Sequence, residues 1–270
     1  MSVKLLHVVG ARPNFMKIAP LLAECGRRPG LHSTLVHTGQ HYDERMSRLF
    51  FEELGIPRPD LDLEIGSGSH AQQTAAILSR FEPVLLEARP DLLVVVGDVN
   101  STLACSLAAA KLSIPVAHVE AGLRSFDRSM PEEVNRIVTD ALSDLLFVSE
   151  ASGMDNLKRE GVAADKLHLV GNVMIDTLLE HRERARAAPI LSSLGVEAGG
   201  YAVLTLHRPA NVDEPAALER ILSGIALLAR RMPVVFPVHP RARLALDGQA
   251  TLRAEGARFI TTEPLGYLDV

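Results

Sequence analysis

The alternation of short apolar runs with longer stretches of helical period constrains this chain more than any other feature of its sequence. The β-branched or Leu/Val-rich runs predict strands at Lys4–Val9, Ser33–Thr38, Leu92–Gly97, Val116–Val119, Leu145–Ser149, Lys166–Val170, Ala202–Leu206, Val234–Val238 and Ala257–Thr261. The helical stretches include Lys17–Arg27, Ala71–Glu87, Thr102–Lys111, Glu133–Leu142 and Ala216–Arg230. Strands and helices that alternate in this way form βαβ units, so we expect an α/β fold with a mostly parallel sheet.

A polar segment punctuated by Pro and Gly, residues 182–200, interrupts this alternation. It predicts a linker between an N-terminal Rossmann-like lobe, residues 1–181, and a C-terminal lobe, residues 201–270. A chain of 270 residues is long enough for two domains. The second lobe has only three predicted strands, so we expect it to be incomplete.

Charge and cysteine content exclude several classes of function. The chain has 28 Lys and Arg against 33 Asp and Glu, so no overall positive field attracts nucleic acid or anionic lipid. Cys25 and Cys105 lie far apart in apolar stretches, which predicts neither a disulfide framework nor a thiolate metal site and favours a cytoplasmic protein. No apolar run approaches the roughly 18 residues that cross a bilayer. We expect no nucleic-acid or membrane partner.

Polar side chains recur where a predicted strand ends and a helix begins. They are Arg12 and Lys17, Gln40 and His41, Asp98 and Asn100, Glu120 and Arg124, and His207 and Arg208. In open α/β sheets, ligands bind at this carboxyl edge. We therefore expect these groups to share one site.

The segment Gly10–Lys17 contains neither a dinucleotide-binding nor a Walker pattern. A helix N-terminus flanked by Arg12 and Lys17 nevertheless favours a phosphate, because backbone N–H groups and the helix dipole attract anions. The alternative is that both cations are simply solvated.

Three carboxylates are candidates for acid–base catalysis. Asp98 follows a strongly apolar strand, and its alternative role is an N-cap of the next helix. Glu120 lies between a buried-strand pattern and a segment of small residues, where a ligand can approach the backbone. Glu132 follows Pro131 in a predicted first helical turn, where a purely structural role also fits. The histidines lack a metal-ligand spacing, so we expect no metal.

Seven segments in register resemble the non-hydrolysing UDP-N-acetylglucosamine 2-epimerase family. They are Gly10–Lys17, Thr38–Asp43, Val96–Asp98, His118–Ser125, Pro131–Arg136, Gly171–Asp176 and Leu206–Arg208. The resemblance covers essentially the whole chain. It implies two Rossmann-like lobes similar to GT-B glycosyltransferases, a UDP-sugar substrate, no cofactor and a homodimer.

The resemblance also implies roles for single residues. Arg12, Lys17, Asp98, Glu120 and His207 match substrate-site positions, and Asp98, Glu120, Glu132 and His207 match catalytic positions. Gln40 and His239 are compatible with a second, allosteric UDP-N-acetylglucosamine site. The family interconverts UDP-N-acetylglucosamine and UDP-N-acetylmannosamine, which serve polysaccharide biosynthesis.

The substrate's chemistry explains why carboxylates and cations are needed together. The C2 hydrogen is not α to a carbonyl, so removing it requires cleavage of the anomeric C–O bond, which gives a 2-acetamidoglucal and UDP. Arg12 and His207, supported by Lys17, suit the diphosphate, and Asp98, Glu120 and Glu132 supply the acid and base. A hydrolysing epimerase, a GT-B glycosyltransferase and an inactive remnant with a binding role are the alternatives.

Overall fold

The computed structural model describes residues 2–40, 44–206, 209–238, 240–246, 250–253 and 256–270. The chain divides into two compact units, Met1–Arg182 and Glu183–Val270. The predicted lobe boundaries and the 182–200 linker remain predictions.

The first unit alternates strands and helices as the apolar runs predict. Its strands are β1 (Val3–Val9), β2 (Leu31–His37), β3 (Leu61–Asp62), β4 (Leu92–Val96), β5 (Val116–Ala121), β6 (Leu145–Val148) and β7 (Leu167–Leu169). Its helices are α1 (Arg12–Arg27), α2 (Glu44–Leu54), α3 (His70–Ala88), α4 (Asn100–Lys111), α5 (Pro131–Leu142) and α6 (Ala151–Arg159), with a 3-10 turn at Ala164–Lys166. Helix α7 (Val173–Arg186) starts in this unit and continues into the predicted linker.

These strands form one seven-stranded parallel sheet in the order β3-β2-β1-β4-β5-β6-β7. The continuous apolar run Leu92–Val96 is its central strand, as expected of a strand covered on both faces. Sequence order reverses between β1 and β4, so their carboxyl ends form the topological switch point at which such sheets bind ligands. Arg12, Lys17 and Asp98 follow these two strands.

The core packs one face of the sheet against α3 and α4. Buried side chains of β1, β4 and both helices meet there, including Leu6, Val95, Ile77, Phe81 and Cys105. A smaller cluster joins β5 and β6 to α6 through Leu146, Val148 and Leu157. Helices that cover a parallel sheet leave its carboxyl edge open for function.

The second unit contains, in its described residues, a three-stranded parallel sheet in the order β10-β9-β8. Its strands are β8 (Ala202–Val203), β9 (Val234–Pro237) and β10 (Phe259–Thr262). Its helices are α8 (Ile190–Leu194), α9 (Pro209–Val212), α10 (Pro215–Ala229) and α11 (Pro240–Leu246), with a 3-10 turn at Ala250–Arg253. Leu218, Leu222 and Phe236 are fully buried at its core.

Several element boundaries differ from the sequence prediction, and one strand was not predicted. Helix α1 begins at Arg12 rather than Lys17, because Pro13 fits a first turn, where it forfeits no helical hydrogen bond. Strand β8 ends at Val203 rather than Leu206. The two-residue strand β3, which pairs with Val36 and His37, is too short to leave a pattern in the sequence.

Candidate active site

The first unit gathers its candidate residues at the carboxyl edge of its sheet. Arg12 and Lys17 are in α1 after β1, and Asp98 follows β4. Glu120 is the penultimate residue of β5, and Glu132 is the second residue of α5. His207 and His239, which are also predicted site residues, lie outside the described part of the chain, as do His41 and Arg208.

Asn14 ties the two strands of the switch point together. Its side-chain oxygen accepts hydrogen bonds from the N–H groups of Gly10 (3.1 Å) and Ala11 (3.2 Å). Its Nδ2 donates to the carbonyl of Val96 at the end of β4 (2.9 Å). Because Asn14 is buried, these bonds fix the start of α1 against β4.

Glu120 sits on a β-bulge. The register between β5 and β6 shifts between Val119 and Ala121, so Glu120 is the extra residue. Its φ of 71° lies in the left-handed region, which costs a non-glycine residue about 1–3 kcal/mol. Bulges re-aim a side chain next to active sites. The strain supports, on physical grounds, the functional role predicted for Glu120.

The Glu120 carboxylate forms an ion pair with the Lys17 ammonium, and both side chains are largely buried. Gly97 makes room for this pair, since a Cβ at that position would lie 2.8 Å from Lys17 Nζ. In this structure the partner of Lys17 is therefore a carboxylate. Its predicted contact with the substrate's diphosphate remains a prediction.

Asp98 is paired with Arg136 of α5. The alternative role of Asp98 as an N-cap is wrong, because Val99 occupies the cap position of α4. Asn135 Nδ2 also donates to the Asp98 carbonyl at 2.9 Å. Two neighbouring residues of α5 therefore hold Asp98 at the switch point.

Adjacent glutamates at the start of α5 have different surroundings. Buried Glu133 accepts hydrogen bonds from the N–H groups of Ser125 and Phe126 (2.9 Å each) and from Arg136 (2.8 Å). Burial by itself would raise the pKa of Glu133, but these donors outweigh it and lower that pKa. Glu132 is exposed and makes no hydrogen bond or ion pair with described residues. Of the two, Glu132 is the carboxylate free to serve a substrate.

Arg12 places its guanidinium over the buried ring of Phe50, with Cζ 4.6 Å from the ring centroid. Phe50 belongs to an aromatic cluster with Phe15 and Phe51. A cation–π contact of this kind orients the guanidinium near the N-terminus of α1, where an anion is favoured.

Gln40, predicted as an allosteric contact, is buried after β2. Its side-chain oxygen accepts from Ser101 N (2.9 Å) and Ser101 Oγ (2.6 Å), and its carbonyl accepts from Gln73 Nε2 (3.1 Å). These bonds give Gln40 a structural role, and its allosteric role remains a prediction.

Glu133 and Arg136 are among the site-organising residues that sequence reasoning did not single out. Both belong to the segment Pro131–Arg136, and their spacing of three residues places them on one helix face. That spacing is the sequence signal from which their ion pair could have been predicted. Among the described residues, the structure shows neither a cluster of His, Cys, Asp and Glu suited to a metal nor a helix long and apolar enough to span a membrane.

The comparisons with known proteins agree with this geometry. The sequence pattern of the UDP-N-acetylglucosamine 2-epimerase family matches residues 23–270. A UDP-N-acetylglucosamine 2-epimerase homolog of Methanococcus maripaludis is 42% identical over an alignment of 274 positions, which covers 99% of this chain and 75% of that protein. The UDP-2,3-diacetamido-2,3-dideoxy-D-glucuronate 2-epimerase of Pseudomonas aeruginosa is 43% identical over 271 residues, covering 99% and 74%.

A solved structure gives the same result. The UDP-GlcNAc 2-epimerase of Methanocaldococcus jannaschii, in complex with UDP-GlcNAc and UDP, superposes with a TM-score of 0.88 at 39% identity. The match covers 99% of this chain and 75% of that chain. It confirms the predicted α/β, GT-B-like fold class.

The open parallel sheet and its match to the solved structure define an α/β enzyme with a GT-B-like fold. The chain belongs to the UDP-N-acetylglucosamine 2-epimerase family.

Proposed function

We propose that this chain is a non-hydrolysing epimerase that interconverts UDP-N-acetylglucosamine and UDP-N-acetylmannosamine. The observation that carries the proposal is the strained bulge at Glu120, which aims a carboxylate at the edge that also bears Asp98 and Lys17. Family membership supplies the substrate class.

The proposed reaction has two half-steps. A carboxylate takes the C2 proton while the C1–O bond breaks, and the bonding electrons leave with UDP, so the products are a 2-acetamidoglucal and the UDP anion. UDP then returns to C1 as a carboxylic acid delivers a proton to the opposite face of C2. Protons and electrons balance, and no redox cofactor takes part.

The three carboxylates have different surroundings, which supports different roles for them in the reaction. Glu120 faces a cation, Asp98 is held by Arg136, and Glu132 is exposed in a first helical turn. Two of the three serve as the base and the acid. We assign to Arg12 and His207 the role of stabilising the negative charge of the departing UDP, and to Lys17 a supporting role.

One relative favours a second substrate. The Pseudomonas aeruginosa protein is named for a diacetamido-glucuronate and is as similar to this chain as the UDP-N-acetylglucosamine 2-epimerase homolog. Its substrate carries a carboxylate on the sugar, and the same C2 chemistry applies to it. UDP-2,3-diacetamido-2,3-dideoxy-D-glucuronate is therefore the second candidate.

The test is incubation of the chain with each nucleotide sugar in deuterated buffer, followed by proton NMR. We expect UDP-N-acetylmannosamine with deuterium at C2 from the first substrate. Turnover of the glucuronate alone would replace the proposed substrate with the second candidate. Release of free N-acetylmannosamine as the first product would instead establish a hydrolysing epimerase.

We also propose that the enzyme acts as a cytoplasmic homodimer that supplies polysaccharide biosynthesis. The free Cys25 and Cys105 fit a reducing compartment, and the dimer follows from the family resemblance. Light scattering during size-exclusion chromatography should give twice the 29.2 kDa chain mass.

A further inference from the structure

A single buried histidine joins the two turns that carry Asp98 and Glu120. His118 of β5 is fully buried. Its Nε2 lies 2.8 Å from the carbonyl oxygen of Gly97, the residue before Asp98. Its Nδ1 lies 2.6 Å from Asp140 Oδ1 of α5. The ring thus connects β4, β5 and α5 just below the candidate site.

Asp140 also binds the backbone that follows the bulge. The N–H of Gly122 donates to Asp140 Oδ2 at 3.1 Å. Because His118 precedes the bulged Glu120 by two residues and Gly122 follows it by two, one carboxylate holds both ends of the strained segment. A Cβ at Gly122 would lie 2.5 Å from the Gly153 carbonyl, so this backbone has no room to shift towards α6.

The partners of His118 determine its protonation. The Gly97 carbonyl can only accept, so Nε2 carries a proton. Burial alone would raise the pKa of Asp140, but His118 and Arg124 outweigh burial and lower that pKa, which leaves an ionised acceptor for a second proton on Nδ1. Arg124 pairs with Asp140 at 2.7 Å and with Glu160 at 2.6 Å, so a permanent cation also faces Asp140.

We propose that His118 is a positioning residue, a doubly protonated imidazolium that, together with Asp140, holds the bulge at Glu120 at a fixed spacing from Asp98. The proposal rests on the proposed function, because these two carboxylates are the groups that it positions. Strained backbone persists only where its surroundings over-determine it. His118 and Asp140 supply that constraint without touching the substrate.

Imidazole nitrogen NMR of the wild-type chain tests the protonation without using activity. Long-range proton–nitrogen correlation near neutral pH should show both His118 nitrogens protonated. An unprotonated ring nitrogen on His118 would overturn the proposal. The protonation state is read from the wild-type chain, and variants serve only to assign the signal. His118→Gln removes the signal, and Asp140→Asn shifts it.

Kinetics test the positioning role. His118→Gln should lower kcat about 100-fold, the scale of a small misplacement of catalytic groups, and should change KM much less. The matched control is His7→Gln, which alters an equally buried histidine of β1 whose Nε2 bonds Ser33 instead of a site turn. It should leave kcat unchanged.

Asp140→Asn keeps the side chain's shape and removes its charge. It should also lower kcat, and it should leave His118 with a single ring proton. An unchanged kcat in both site variants, or an equal loss in His7→Gln, would refute positioning. If the wild-type chain turns over neither nucleotide sugar, the proposed function fails, whereas the NMR result still decides the state of His118.

Discussion

The carboxyl edge of the first unit's sheet is built differently at its two halves. At the ends of β1 and β2, which we call the amide half, neutral groups such as Asn14 and Gln40 tie the backbone together. At the ends of β4 and β5, the carboxylate half, ion pairs hold Asp98 and Glu120. The amide side chains use their hydrogen bonds to fix the backbone. A carboxylate in an ion pair, by contrast, can exchange its partner or accept a proton when substrate binds. We therefore expect damage to the amide half to appear in stability and damage to the carboxylate half to appear in turnover.

The largest effect is expected in the carboxylate half, from Glu120→Gln. The amide keeps the shape of the side chain but can neither accept nor deliver the proton, so turnover should fall about 1,000-fold. Deuterium incorporation at C2, followed by proton NMR, measures it. Glu150→Gln, which changes an exposed carboxylate at the end of neighbouring β6, is the matched control and should retain activity. Undiminished exchange in Glu120→Gln would remove this residue from the mechanism.

His7 in strand β1, which leads into the amide half, should make the fold sensitive to acid. Burial lowers the pKa of His7 to about 4. Because the unfolded chain binds this proton more tightly, the free energy of unfolding should fall by about 3 kcal/mol as pH drops from about 6.5 to about 4. Urea unfolding at a series of pH values measures the slope.

His7→Gln should flatten this pH dependence, whereas changing exposed His32 on neighbouring β2 to Gln should leave it as steep as in the wild type. If both variants keep the wild-type slope, the acid sensitivity has another origin.

The two glutamates at the start of α5 sharpen the comparison within the carboxylate half. Glu132→Gln should lower turnover about 100-fold and leave the melting temperature unchanged, because the side chain has no bonding partner among the described residues. Glu133→Gln should lower the free energy of unfolding by about 1–3 kcal/mol, since it weakens the charged acceptor of Ser125, Phe126 and Arg136. Thermal melts and initial rates on both variants should separate these effects. A shared loss of stability would mean that both residues are structural.

The smallest effect is expected from Phe50→Leu, which removes the ring beneath Arg12. A cation–π contact contributes about 0.5–1 kcal/mol, so KM for the nucleotide sugar should rise about two- to fivefold with kcat retained. Phe51→Leu removes a neighbouring ring that packs against Phe15, and it serves as the control. An equal rise in KM for both variants would assign the effect to general packing.

Sequence patterns predicted the sheet and the edge at which its polar groups lie. The run Leu92–Val96 identified the central strand, and the segments after β1, β2, β4 and β5 placed candidate residues at the carboxyl edge. Both predictions rest on local hydrophobic periodicity, which can be read within one segment of the sequence.

The bulge at Glu120 could not be predicted in the same way. The Gly122 N–H beside the bulge donates to Asp140, which is 18 residues away in the sequence, and no local pattern encodes a contact at that separation. Glutamate also gives no sign of a left-handed conformation, which glycine would have signalled. The contrast between Glu132 and Glu133 likewise depends on which face of α5 turns inward.

A crystal structure of the chain with bound UDP-N-acetylglucosamine tests the central claim most directly. Our account predicts that C2 of the sugar lies within about 3.5 Å of a carboxyl oxygen of Asp98, Glu120 or Glu132, the distance required of a group that transfers its proton. A sugar bound with C2 out of reach of all three carboxyl groups would contradict it.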